Sequence, residues 1–178
     1  MNTGSTANLS ATFAGVADLS DAGGGTLKDT ASTWTLTGPD TGSVTNLSGT
    51  FAGMANLSDT GGGTLVGKGS TWTLTGLDTG SVSSLSGSFA GMKNLIDTRG
   101  GTLKDTGSTW NLTGPDTGSV TNLSGSFAGM ANLSDTAAGT LEYPPGSTWE
   151  LTGLNTGSVT NLSGTFAGMT NLGDKGKR

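Results

Sequence analysis

Residues 33–65 read TWTLTGPDTGSVTNLSGTFAGMANLSDTGGGTL, and the stretch returns nearly letter for letter from Thr71 and, slightly altered, from Thr109. Its first segment alternates, with Trp34 and Leu36 on one face and Thr33, Thr35 and Thr37 on the other, the period of a half-buried strand. The pieces GSV, TNL, TF and MANL are shorter extended segments, and Gly, Asp-Thr-Gly and Ser-Gly punctuate them as corners. Glycine and β-branched residues recur every few positions and disfavour helix. FAGMANL has room for one helical turn at most.

Working outward, Trp34, Trp72, Trp110 and Trp149 recur at one fixed interval, lengthened by a single residue before Trp149. Phe13, Phe51, Phe89, Phe127 and Phe166 keep the same rule, as do Leu27, Leu65, Leu103 and Leu141. The single extra residue falls in LEYPPGSTW (141–149), which reads as a surface loop. This places repeats at 3–40, 41–78, 79–116 and 117–155, a half repeat at 156–174 and a polar tail at 175–178, all of 1–174 forming one domain. The halves of each repeat echo one another, sharing an opening Thr-Gly, a Thr four places on and a closing Asp.

Short strands, tight corners and a fixed period predict an all-β chain: a β-solenoid, specifically a right-handed parallel β-helix of about nine 19-residue coils in 38-residue double-coil repeats. At about 4.8 Å per coil the rod would be about 43 Å long. In this geometry Trp34 falls over Gly53 and Phe51 over Ser70, large over small. The competing geometry is one 38-residue coil per repeat, stacking Trp on Trp and Phe on Phe. The expected core ladder is Leu27, Trp34, Leu36, Val44, Leu47, Phe51, Met54 and Leu57, continued by Trp72, Phe89, Trp110, Phe127, Trp149 and Phe166. Asn46 and Asn56 belong at corners, where their amides can bond along the axis.

Composition bounds the function. Only 31% of the 178 residues are hydrophobic and 33 are glycine, so a core must be pooled across repeats. A net charge of −5 argues against nucleic acid as a partner. Without cysteine there are no disulfides or thiolate metal sites. No apolar run reaches the roughly 18 residues of a membrane span, and MNTGSTANLS has no signal-peptide pattern.

Candidate chemistry is sparse. The triplet DTG at Asp40, Asp59, Asp78 and Asp116 matches an aspartic-protease signature, but it stands in turn context and becomes NTG at Asn155. GGGTL lacks the GK[ST] of a phosphate loop, and GGGTLKD lacks the spacing of calcium-binding nonapeptides. Sequons at Asn8, Asn46, Asn56, Asn111, Asn122, Asn132 and Asn161 come with the repeat. The chain has no histidine, and nearly identical units cannot build one asymmetric pocket, so an enzyme is not expected. The individual region from Glu142 to Pro145, with Glu150, reads as a loop that has drifted. No cofactor or metal is expected.

The pattern W-x-L-T-G-x-x-x-G-x-V…F…N-L…G-G-x-T-L stands here as Trp34, Leu36-Thr37-Gly38, Gly42, Val44, Phe51, Asn56-Leu57, Gly61 and Thr64-Leu65. It resembles the repeats of giant bacterial surface and secreted adhesins of the filamentous-haemagglutinin-like class. DTGSVTNLSGTFAGMANL is also similar to the DTSxVTNMSxMF stretch of BspA-type leucine-rich repeats, which have a shorter period and lack the STWTLTG strand. Both resemblances imply an exposed bacterial protein whose business is contact.

The expected function is therefore structural: a non-enzymatic stalk or filament segment, extracellular or on the bacterial surface. The outermost repeats look like internal coils, so the expected partners are further coils or copies of itself, end to end or laterally, and host or surface glycans. The alternative is ice or polysaccharide binding through a threonine face made of Thr33, Thr35, Thr37, Thr71, Thr73, Thr75, Thr109 and Thr113. Against a flat ice-binding row, its middle position runs Thr35, Thr73, Asn111 and Glu150.

Overall fold

The computed structural model describes residues 3–4 and 13–174, with side chains from residue 14 onward. The side chain of Phe13, first of the recurring phenylalanines, and the tail expected at 175–178 lie outside the described part. Among the described residues every regular element is a strand, and the strands stack as a β-solenoid of about five turns, not nine.

The local rules are visible in each repeat. Thr33–Gly38 buries Trp34 and Leu36 and turns its threonines outward. A turn at Pro39-Asp40 sends it back antiparallel into Thr41–Val44, setting Trp34 opposite Val44. Asp40, Asp78, Asp116 and Asn155 occupy this turn at φ of 51°, 56°, 51° and 57°. Asp and Asn tolerate that left-handed conformation better than most residues. A third strand, Phe51–Ala52, then sets Phe51 opposite Gly42. A Cβ on Gly42 would lie 2.7 Å from Phe51 Cζ and closer still to the Thr35 carbonyl oxygen. Glycine thus lets the phenyl ring lie over the middle strand and meet the Trp34 indole edge-on, with centroids 6.4 Å apart. The arrangement recurs at Trp72–Phe89, Trp110–Phe127 and Trp149–Phe166.

Coils are joined by parallel pairing about 31 residues apart, for example Leu27–Leu57, Trp34–Leu65, Leu57–Phe89 and Leu133–Phe166. The coil therefore matches neither the half repeat nor the whole one. Trp34 lies beside Leu65 rather than over Gly53, and Phe51 lies over Gly42 rather than Ser70. The sheet is also mixed rather than wholly parallel, because each repeat folds an antiparallel hairpin into the stack.

Two ladders of strands run along the axis. In one, Leu27, Leu57, Phe89, Gly80, Leu74, and through its neighbour Trp72, Leu103, Leu133 and Phe166 follow in order. It continues through Gly157 to Leu151. In the other, Leu19, Phe51, Val44, Trp34, Leu65, Leu95 and Phe127 begin a series of eleven strands ending at Leu172, about 48 Å at about 4.8 Å per step. Long strands such as Asn56–Gly67 serve both, Leu57 in the first and Leu65 in the second. Trp34 and Trp110 thus belong to one ladder, Trp72 and Trp149 to the other.

The interior is a single cluster. Trp34, Trp72 and Trp110 are fully buried, as are Phe51, Phe89, Phe127, Phe166 and Leu57, and Leu36, Val44 and Met54 are buried beside them. Leu27, Leu47 and Trp149 are only partly buried at its margin. Each fully buried large side chain contributes about 1.5–3 kcal/mol, which is how a chain so poor in apolar residues holds a core.

Candidate functional site: a repeated aspartate clasp and an outer threonine face

The most specific chemistry in the molecule is internal. Asp59 sits where Asn56–Gly67 passes from one ladder to the other, and its side chain is buried. Its carboxylate accepts the amides of Ala31 (2.8 Å), Ser32 (2.9 Å) and Gly61 (2.9 Å) and the indole Nε1–H of Trp34 (3.1 Å). Asp97 repeats the set with Gly69, Ser70, Arg99 and Trp72. Asp135 repeats it with Gly107, Ser108, Ala137 and Trp110. Asp174 receives Trp149 at 3.3 Å.

Burial alone would raise these carboxyls, but the N–H donors, the Ser32, Ser70 and Ser108 amides first among them, outweigh it. Asp59, Asp97 and Asp135 are each held below the ordinary aspartate range. Four donors occupy the four lone-pair positions of each carboxylate. Such a group has no capacity left to act as a base or a ligand; it ties one coil to the next. Among the described residues no cluster of His, Cys, Asp or Glu is placed to hold a metal ion.

The four DTG triplets therefore divide. Asp40, Asp78 and Asp116 stand in hairpin turns and reach along the axis to the backbone N–H and hydroxyl of Ser86, Ser124 and Ser163. Asp59, read as one more turn residue, is instead the buried clasp. The asparagines also act across coils. Asn56, Asn94 and Asn132 accept from the backbone and hydroxyl of Ser88, Ser126 and Thr165, rather than stacking amide on amide.

A second inward position varies with the repeat. Asp29 and Asp105 accept from Asn46 and Asn122, and Tyr143 pairs through its hydroxyl with Asn161. In the second repeat this position is Gly67 and the asparagine is Ser84, whose hydroxyl is buried without a partner. Tyr143 is thus an inward residue ending the strand Asn132–Tyr143, not part of a drifted loop; the exposed loop begins at Pro144.

The expected threonine face is outward but discontinuous. Thr33, Thr37, Thr71, Thr75, Thr109 and Thr113 are exposed, with Thr35 and Thr73 half-buried. Across the coils Thr35 is followed by Val66 and Ile96, and Thr73 by Lys104 and Ser134. Thr33, Thr71 and Thr109 continue only through Thr64, Thr102 and Thr140 before Asn94, Asn132 and Asn171. Thr45, Thr121 and Thr160 hydroxyls further clasp the backbone of Thr33, Thr109 and Thr148, engaging the strand they border.

The described residues thus combine a series of identical coil-to-coil ties with a polar, irregular exterior. No family model, no curated protein and no solved structure matches the chain.

Proposed function

We propose that the chain is a non-enzymatic structural segment, a stalk or filament piece of an extracellular, adhesin-like bacterial surface protein. One observation carries the reading: the same Asp–Trp clasp and the same coil-to-coil register return in successive repeats, so no repeat is singled out for chemistry. Backbone ladders run along the axis, and the clasps pin each coil to its neighbour. Extension along the axis must break them a coil at a time. The resemblance of the W-x-L-T-G repeat to giant adhesins supports a surface location, with further coils as its natural neighbours and glycans as what the polar exterior touches.

Single-molecule force spectroscopy along the axis tests this. Repeated force peaks are expected, separated by about one coil of extended chain, about 31 residues and on the order of 10 nm at roughly 3.3–3.6 Å per residue. Extension without resisted steps would contradict the reading.

A further inference from the structure

The hairpins of the second and third repeats share a design but not the ties at their base. In the third repeat the inward Asp105 joins the chain entering the hairpin to the chain leaving it. Its carboxylate accepts the Thr106 amide (2.8 Å), the Ser108 hydroxyl (2.7 Å) and, from beyond the hairpin, the Asn122 side-chain amide (2.9 Å). Asp29 does the same in the first repeat with Thr30, Ser32 and Asn46, and Tyr143 reaches Asn161 in the fourth. In the second repeat Gly67 and Ser84 hold these two positions, so the tie has lost both its acceptor and its amide, and the Ser84 hydroxyl is buried without a partner. The flanking clasp is weaker too. Ser83 Oγ accepts from the Thr71 amide at 3.2 Å, whereas Thr121 Oγ1 accepts from Thr109 at 3.0 Å and also donates to its carbonyl. At the tip, exposed Leu77 stands where the third repeat has Pro115; proline presets the backbone of that turn position and leucine does not.

In burial and long-range bonding the two hairpins agree. Trp72, Leu74 and Val82 are buried as Trp110, Leu112 and Val120 are, and the Asp97 and Asp135 clasps match. Asp78 and Asp116 hold Ser124 and Ser163 alike. The differences at the base and tip all subtract a bond or a constraint from the second repeat. We propose that hairpin 71–82 is a built-in yield point, opening ahead of hairpin 109–120; its use as one in a stalk rests on the structural reading above. The ladders give that opening a direction. Phe89–Asp97 and Asn132–Tyr143 each serve both ladders. Between these two strands the first ladder runs through hairpin 71–82 and Thr102–Asp105. The second runs through Phe127–Ala128 and hairpin 109–120. The weaker hairpin thus shares its level with the stronger one, and opening the first bends the rod about the second without severing it.

Amide hydrogen exchange on the full chain, without load, compares two nearly identical segments, 71–84 and 109–122. The first is expected to exchange at least about tenfold faster, because its local opening breaks fewer bonds. Asp105→Gly with Asn122→Ser carries the second repeat's gap into the third and should bring 109–122 to the rate of 71–84. The reciprocal Gly67→Asp is a poorer probe, since a Cβ there would stand 2.6 Å from Trp72 Cζ2. Leu77→Pro supplies the other direction and should slow exchange in 71–84 severalfold. Equal or greater protection of 71–84 in the unaltered chain would overturn the yield point, as would undiminished protection of 109–122 in the double variant. Exchange is measured without force, so its failure leaves the force reading intact, and unresisted extension leaves unequal exchange standing.

Discussion

Trp34 Nε1 donates to the buried Asp59 carboxylate at 3.1 Å, tying together residues 25 positions apart. Trp72–Asp97 and Trp110–Asp135 repeat the bond at the same distance and separation. The indole supplies apolar bulk to the core, and its one polar atom finds the acceptor that also gathers the backbone amides of the preceding coil.

Removing that acceptor should be among the most damaging single changes. Asp97→Ala leaves the amides of Gly69, Ser70 and Arg99 and the Trp72 indole without their acceptor. A loss of about 3–5 kcal/mol in urea denaturation is expected, since hydrogen bonds to charged groups are strong and orphaned buried donors costly. Trp72→Phe keeps most of the bulk, removes one donor and should lose about 1–3 kcal/mol.

The clasp also predicts acid lability. Asp59, Asp97 and Asp135 have folded-state pKa values below their unfolded value of about 3.9. The unfolded chain therefore binds protons first as pH falls. The stabilisation is present above about pH 4 and is lost progressively as pH drops through the folded values. Thermal melts should show a Tm falling below about pH 4, and Asp97→Asn should flatten that fall while lowering Tm at neutral pH.

Glycines should divide by what stands over them. Gly91 has φ of 72°, and a Cβ there would overlap the Asp59 carbonyl oxygen. Gly69 has φ of 63°, but its nearest neighbour is Arg99 Cβ at 3.7 Å. Gly69→Ala should therefore cost about 1–2 kcal/mol from its conformation alone. Gly91→Ala must also move a strand and should cost more than about 3 kcal/mol by denaturation, or fail to fold.

Ser84 offers the opposite sign. Its hydroxyl is buried without a partner, at the position where Asn46 and Asn122 hold Asp29 and Asp105. Ser84→Ala should leave stability unchanged or raise it by about 1 kcal/mol, because it removes a desolvated polar group. Asn122→Ala should lower it by about 1–2 kcal/mol. Paired denaturation curves decide between the two signs.

Much of this is legible in the residues. Alternation through Thr33–Thr37 reports the strand and its inward face, and the recurring Trp, Phe and Leu report a pooled core. Coil length is hidden because the chain's period is not its pairing offset. Hairpins such as Trp34–Val44 are folded into the stack, so parallel partners stand about 31 residues apart, short of a full sequence repeat. The clasp leaves a trace in the constant interval from Trp34 to Asp59, Trp72 to Asp97, Trp110 to Asp135 and Trp149 to Asp174. Asp59 and Asp40 nevertheless share the triplet DTG, and only the fold separates a buried acceptor from a turn. The alternation of Pro39, Leu77, Pro115 and Leu154 is a further signal. Successive repeats place their hairpins on opposite ladders, so equivalent hairpins share a ladder only every second repeat.

Paired cysteines in the folded chain test the stacking most directly. Thr73 and Lys104 are ladder partners facing outward. Thr73→Cys with Lys104→Cys should form a rapid intramolecular disulfide without loss of stability, while Thr73→Cys with Asn111→Cys, one sequence repeat apart, should not. Efficient closure of the second pair and none of the first would mean that successive coils meet at the full sequence repeat, and the ladders described above would be wrong.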